Sequence, residues 1–438
     1  MKNLLLFIGL LPFAMACNSN NNNKEQRQAD TIGTASNQEI HLPEPDTTAS
    51  KTKFSKVIGW PEGKTPIAPE GFTVTKFAGD IKSPRNIYIA PNGDIFVALA
   101  NSERSGKEKI ADVVTGKSKS EQGGKSANTV LLFRDTNNDG KPDLQSTFLT
   151  GLDQPFGMLI IDNAFYVANT DGLWKYPYTT GNEKITAQGT KIVDLPAGGY
   201  NNHWTRNLIA NEDNSKIYIS VGSGSNVAEH GMQNEVRRAN ILEINPDGTG
   251  EIIYASGLRN PVGMAWAQGT KDLWAAVNER DELGDELVPD YITSIKKGGF
   301  YGWPYSYYGQ HEDPRLKGQN PDLVKSAIVP DVAVGAHTAS LGLAFYKDKK
   351  FPAKYQGGAF IGQHGSWNKS NLAGYKVAFV PFKNGVKTGS LEDFLTGFIA
   401  DQEKGEVYGR PVGVAVAKDG ALLVADDVSN TVWRVAAK

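Results

Sequence analysis

Three kinds of residue in this sequence could carry chemistry. The first is a histidine. His203 stands in "GGYNNHWTRNL", a stretch whose glycines and asparagines read as a loop. A solvated imidazole titrates near pH ~6.5, which suits a general base; the alternative is a hydrogen-bonded loop histidine. The second kind is arginine. "SGLRNPVGMAW" (Ser256 to Trp266) and "YGRPVGVAV" (Tyr408 to Val416) each place an arginine just ahead of Pro-Val-Gly, far apart in the chain. Arg85 in "SPRNIYI" holds a matching position, and Arg206 is close to another. Guanidinium groups that face one cavity repel one another and call for an anion, and their fork fits carboxylates best. The third kind is a set of oxygen donors. "RDTNNDGKPD" alternates Asp135, Asn137 and Asp139 ahead of Gly140, with Asp143 beyond. Such spacing suits a hard cation such as Ca²⁺. Ser146 stands where an EF-hand needs glutamate, so the choice is between a structural calcium loop and a bare hairpin turn.

Two further stretches add to these. "GQHGSWNKS" brings His364, Trp367 and Asn368 together, a flat ring and an amide suited to a planar polar ligand, or else a tight turn capped by asparagine. "NERDELGDELVPD" (Asn278 to Asp290) is an acidic loop that either offers carbonyls and carboxylates to a second cation or is simply solvated. His41, His230, His311 and His337 show no clustering, and no zinc spacing, P-loop or nucleophile elbow is present. "GSGSN" at Gly222 to Asn226 reads as a turn, not a dinucleotide fingerprint.

The elements that must position these residues form a repeat. Six segments share a loop, an apolar run, a polar turn and a second apolar run. They are Ser83 to Ala100, Gln154 to Thr170, Trp204 to Ser223, Asn260 to Glu279, Ser340 to Gly365 and Arg410 to Asp427. Each reads as a β-hairpin, and "PNGD" and "KDG" supply turns that tolerate positive φ. Self-similarity at this spacing, with room for four strands per copy, marks a six-bladed β-propeller in an all-β chain. Long amphipathic helices are scarce; the best short candidates fall near Asp285 to Lys297. "GFTVTKFAG" (Gly71 to Gly79) is expected to pair near "NTVWRV" (Asn430 to Val435) and close the ring. Residues just before equivalent inner strands then converge on one pocket.

The chain of 438 residues is long enough for such a ring, and its 39% hydrophobic content is globular. A formal charge of −2 gives no basic face for nucleic acid. The sole cysteine, Cys17, follows a lysine, an apolar run from Leu4 to Phe13 too short to span a bilayer, and small residues in "AMAC". This reads as a secretory signal over residues 1–16, similar to a bacterial lipoprotein signal with Cys17 as the lipidated residue. Ordinary cleavage beside a chance cysteine is the other reading. Residues 17–53 are polar and read as a disordered tether, and 54–438 as the propeller. Membrane contact is expected through the lipid anchor alone, in the periplasm or at the outer membrane of a bacterial cell envelope.

"NNHWTRNL", "RRANILEINPDGTG", "GLRNPVGMAW", "GGFYGWPY", "HGSWN" and "GRPVGVAVAKDGALLVADD" together resemble the glucose/sorbosone dehydrogenase family. The resemblance runs from Gly71 to the C-terminus, is strongest in the sorbosone-dehydrogenase-like branch, and rests on the order and number of the motifs. It implies a quinoprotein on a six-bladed propeller that uses pyrroloquinoline quinone (PQQ) and Ca²⁺ to oxidise an aldose or related sugar, with a cytochrome or quinone as electron acceptor. It implies that His203 takes the proton of a sugar hydroxyl while hydride passes to the quinone, with Ca²⁺ as Lewis acid. Arg85, Arg259, Asn260, His364, Trp367, Asn368, Lys369 and Arg410 fall at cofactor-binding positions. Lys369 replaces an arginine common in relatives, and "RDELGDE" replaces the Gly-Pro loop that holds the cofactor calcium in soluble glucose dehydrogenases. Two other readings remain: a propeller lactonase with a central cation, and a non-catalytic lipoprotein that binds glycans on "YGWPYSYYG" (Tyr301 to Gly309).

Overall fold

The structure, a computed structural model, describes residues 40–48, 51–103, 106–120 and 123–438. Cys17 and the signal segment lie outside the described residues. All six repeated segments form antiparallel hairpins. Their first strands are Pro84–Ile89, Met158–Ile161, Leu208–Ala210, Pro261–Trp266, Ser340–Phe345 and Pro411–Val416. Each hairpin continues into a sheet of four strands, or five in the third case. The sixth sheet takes its outer strand from the other end of the body: Phe72–Ala78 pairs antiparallel with Thr431–Ala437. That pairing buries the free edge that the last hairpin would otherwise expose.

The repeat explains the recurring glycine. First strands of neighbouring sheets approach so closely that a side chain has no room. A Cβ on Gly342 would lie 2.2 Å from the carbonyl oxygen of Val412, and one on Gly413 would lie 2.6 Å from that of Arg85. The pairing register also slips at this point in four of the six hairpins, between Pro84 and Asn86, Pro261 and Met264, Ser340 and Gly342, and Pro411 and Val414. Such bulges bend a strand where it enters a rim. Inside the ring, Ala100, Phe156, Trp204, Val262, Leu341 and Val412, one from each segment, form a single buried apolar cluster. Apolar positions of the repeat thus plug the axis, and the polar residues just ahead of them stand above the plug.

Two readings of the sequence change here. Pro289–Ser294, within the stretch taken as a helix candidate, is a fully buried strand paired on both sides. Tyr291, Ile292 and Thr293 favour that pleated, two-sided environment. The helices among the described residues are Gly106–Thr115 and Pro321–Ser326, with a few short 3₁₀ turns. Part of the expected tether also meets the body: Ile40 and Leu42 pack on the core, the Asp46 amide donates to Leu283, and the Lys53 amide donates to Trp367.

Candidate active site

Above the apolar plug lies a cavity of about 390 Å³. Its wall carries His203, Arg85, Arg259, Asn260, His364, Trp367, Asn368 and Arg410, residues spread over more than 300 positions of sequence. Each stands at or beside the start of an inner strand or on the 364–368 loop, which is why the ring brings them together.

His203 is held by a second loop. Its Nδ1 is 2.8 Å from the Ser223 carbonyl oxygen and 3.0 Å from Ser223 Oγ. A carbonyl only accepts, so Nδ1 carries the proton and Nε2 keeps its lone pair. Nε2 makes no hydrogen bond among the described residues. Burial and then the charge of Arg259 push this histidine down to about 3, so it stays neutral at physiological pH. The "GSGSN" turn that presents Ser223 is itself fixed by buried Glu235, whose carboxylate accepts from the Gly224 amide at 2.7 Å and from Ser225 Oγ at 2.5 Å. Gly222 leaves no space for a side chain: a Cβ there would lie 2.4 Å from Asn260 Oδ1 and 2.6 Å from His203 Cβ.

The arginines find counter-charges within the chain, which the arginine pattern alone did not reveal. Arg85 Nη1 pairs with Asp427, which also contacts His364 Nε2 at 2.9 Å. Arg259 donates to the Glu279 carbonyl oxygen at 2.7 Å and meets Asp281 at 3.2 Å. Arg410 donates to the carbonyl oxygens of His364 and Gly365. Arg206 faces away, donating to the carbonyls of His203, Thr205 and Pro196, and so braces the histidine loop. Burial would raise the Asp427 carboxyl, but His364 and Arg85 hold it well below the usual range. Burial likewise opposes ionisation of Asp281, and Arg259 and His337 outweigh it. His364 is pushed down to about 4 by burial and then by Arg410. Deeper still, burial lifts Glu279 to about 7 and Asp290 to about 6.

His337, which showed no clustering in sequence, lines the same cavity. Its Nε2 lies 2.8 Å from the Gly284 carbonyl oxygen and its Nδ1 3.1 Å from Asn368 Nδ2. Burial works against its protonation, but the hydrogen bond and charge of Asp281 prevail and raise it. Asp281, His337 and Asp427 are the groups that sequence reasoning missed. Asp281 was inside the acidic loop already singled out, and Asp427 ends the sixth repeat segment.

Other expectations fare differently. Lys369 is buried behind the wall, with Nζ 3.1 Å from Glu286, and is not among the lining residues. Trp367 lines the cavity, yet Phe54 stacks on it at 5.8 Å between ring centroids. Asp135, Asn137, Asp139 and Asp143 lie on a different surface, and their oxygens cap their own loop. Asp135 accepts from the Gly140 amide at 2.7 Å, Asn137 from Asp139 at 2.9 Å, Asp139 from Lys141 at 2.8 Å, and Asp143 from Thr136 at 2.7 Å. Among the described residues no group of three His, Cys, Asp or Glu side chains is placed to hold a metal. The four side chains are held together in one turn, each capping its own loop. In "YGWPYSYYG", Tyr301, Trp303, Tyr307 and Tyr308 are core residues, at most 4% exposed, so that stretch offers no open aromatic platform for glycans.

The residues present fit a small planar anion such as PQQ. Four cationic side chains, Arg85, Lys117, Arg259 and Arg410, line the cavity against two carboxylates, Glu108 and Asp281. Asn260 Oδ1 and Arg85 Nε are buried without a partner, which buried polar atoms rarely tolerate unless a ligand completes them. For a hard cation, the wall offers the carboxylates of Asp281 and Glu108 and amide oxygens, among them that of Asn278 beside Asp281.

The fold is one shared with solved PQQ-dependent sugar dehydrogenases. Over 87% of this chain and 100% of the other, the fold matches the holo PQQ domain of pyranose dehydrogenase from Coprinopsis cinerea, at a TM-score of 0.67 and 18% identity. In sequence, the chain is 29% identical over 197 residues to the aldose sugar dehydrogenase YliI of Escherichia coli, covering 41% of this chain and 50% of that protein. The chain thus spans about half the length of this named relative. It is 30% identical over 303 residues to an uncharacterized protein of Borreliella burgdorferi, covering 66% of this chain and 77% of that one. The chain belongs to the family described as a domain of unknown function (DUF7133), which matches residues 66–433.

Proposed function

We propose that this chain is a PQQ-dependent sugar dehydrogenase that oxidises an aldose or related sugar, and that its six sheets are the blades of the propeller. The observation that carries this reading is His203: its tautomer is set by Ser223, and it shares one cavity with Arg85, Arg259, Asn260 and Arg410. Bound PQQ would supply the electron sink that no side chain of the cavity offers. Arg410, Arg85 and Asn260 would hold its polar edge. Asp281 and Asn278 would hold Ca²⁺ beside it. A Trichoderma reesei protein of carbohydrate-active family AA12, solved as a calcium structure, shares the fold, which supports the choice of Ca²⁺.

The work of the chain's own residues follows from geometry. His203 Nε2 accepts the proton of the sugar hydroxyl as the adjoining C–H bond gives up its hydride. Burial and then Arg259 lower the affinity of His203 for protons, so the base enters each turnover unprotonated. The Ser223 carbonyl stabilises the N–H tautomer before transfer and the imidazolium after it. The apolar plug beneath excludes water from the far side. A cytochrome or a quinone would receive the electrons. The "AMAC" signal supports a mature protein in the bacterial envelope, with Cys17 lipidated.

The test is a titration of the purified protein with PQQ and Ca²⁺, followed by a panel of aldoses, read from the cofactor's absorbance. Saturable binding followed by reduction supports the proposal. Tight binding without reduction by any aldose would move the substrate class, and no binding would remove PQQ from the site.

A further inference from the structure

The helix Gly106–Thr115, at the rim of the cavity, has a face that no other described residue covers. None of its residues is buried, and Ile110, Val113 and Val114 are 68%, 68% and 81% exposed. At about 100° per residue these three positions form one stripe. Lys107 and Lys109 fall on the two flanks of that stripe, while Glu108 and Asp112 fall on the opposite side. Asp112 is the only half-buried residue of the helix, so the acidic side is the one turned to the body. Lys117 and Lys119 follow at once in the next turn.

We propose that this helix is a membrane-docking element that seats on an anionic phospholipid surface, independently of any lipid on Cys17. An apolar stripe bordered on both flanks by lysines is the pattern of an interfacial helix. The aliphatic side chains enter the acyl boundary, and the lysine stems lie along it with their ammonium groups at the phosphates. Protein interfaces instead rely on aromatic and arginine anchors, which this stripe lacks. The chain as a whole carries a formal charge of −2, so attraction to an anionic surface has to be local. Glu108 and Lys117 line the cavity, and so does Tyr200, itself 47% exposed. Docking by this helix therefore brings the mouth of the cavity to the membrane.

The experiment uses the chain from residue 18 onward, which keeps every described residue and carries no lipid. It is sedimented with vesicles of phosphatidylcholine alone and of phosphatidylcholine mixed with phosphatidylglycerol. The chain should sediment with the mixed vesicles only, and added salt should release it. Lys107→Glu with Lys109→Glu should weaken binding by about fivefold per lysine. Val113→Asp with Val114→Asp should abolish it while leaving the thermal midpoint unchanged, because both side chains are exposed. Failure to sediment with the mixed vesicles overturns the proposal. So does sedimentation of the Val113→Asp, Val114→Asp chain at the level of the unsubstituted one, since binding would then lie elsewhere.

Discussion

Two regions of this molecule crowd aspartate, asparagine and arginine together, and they behave in opposite ways. In the hairpin turn at 135–143, each carboxylate accepts from an amide or hydroxyl of its own loop, within seven residues, and only Arg134 at its edge reaches out, to Asp94. In the cavity the partners are far apart in sequence: Arg85 meets Asp427, His364 meets Asp427, and Asn368 meets Asp281 at 2.5 Å. The turn completes itself and needs only its own chain. The cavity gathers four cationic side chains, pairs Arg85 and Arg259 with distant aspartates, and still keeps Asn260 Oδ1 and Arg85 Nε without partners. In the turn, spacing within one loop brings the groups together; in the cavity, only the long-range arrangement of the repeats does.

The strongest way to break this comparison is to remove the base. His203→Ala should lower turnover by about 10³-fold, within the usual worth of a general base. PQQ affinity should hold, because no cofactor-holding role falls on the imidazole. Single-turnover reduction by an aldose, beside a binding titration, separates the two effects; unimpaired turnover removes His203 from the chemistry. Next in size is Asp427→Ala, which leaves Arg85 and His364 buried beside an empty space. Stripping one partner from a buried ionic cluster costs about 3–5 kcal/mol. A fall of less than 1 kcal/mol, roughly a surface-pair effect, would show in urea unfolding and would mean that the cavity's charges are as self-sufficient as those of the turn.

The contrast also explains what the sequence could reveal. The six hairpins were legible because each is local: two apolar runs about a polar turn, with Asn-Gly or Asp-Gly in the first and last and a glycine at the same place in four. The ring closure was legible because an unpaired strand at each end needed a partner. His203, Arg259 and Arg410 were legible as positions relative to the repeat. Asp427 and His337 were not, because nothing local marks a carboxylate or an imidazole whose partner lies tens to hundreds of residues away. The helix near Asp285 was misread because "PDYITS" is apolar enough for either element, and only pairing on both sides decides it.

A smaller effect follows from opposing titrations in the cavity. Between about pH 6.5 and 4.5 the unfolded chain protonates His203 and His364 while the folded chain, with these histidines near 3 and 4, does not. Stability therefore drops as pH falls, by up to about 1.4 kcal/mol per unit for each histidine. Over the same window folded Glu279 and Asp290, near 7 and 6, bind protons that the unfolded carboxyls refuse, so stability rises. His337, raised by Asp281, works with the carboxyls. The opposing slopes should leave the thermal midpoint nearly flat from pH 7 to about 4.5. Below that, Glu279 and Asp290 stop contributing, Asp281 and Asp427 begin to lose their depressed ionisation, and stability should fall steeply. A midpoint that already declines through pH 6 would show that the histidines act without this compensation.

The smallest effect is expected in the turn at 135–143. Asp135→Asn with Asp139→Asn keeps an oxygen acceptor at each position, so the caps on Gly140 and Lys141 survive. The loop is exposed and its hydrogen bonds are local, and each neutral substitution should cost at most about 1 kcal/mol. PQQ affinity should not move, because no residue of the loop lines the cavity. Added Ca²⁺ should stabilise the double variant and the unsubstituted chain equally, since any ion they share would have to bind elsewhere. If Ca²⁺ raised the thermal midpoint of the unsubstituted chain and the double variant lost that gain, the turn would hold a cation after all. The contrast between a self-completing turn and an unfinished cavity would then fail at its first term.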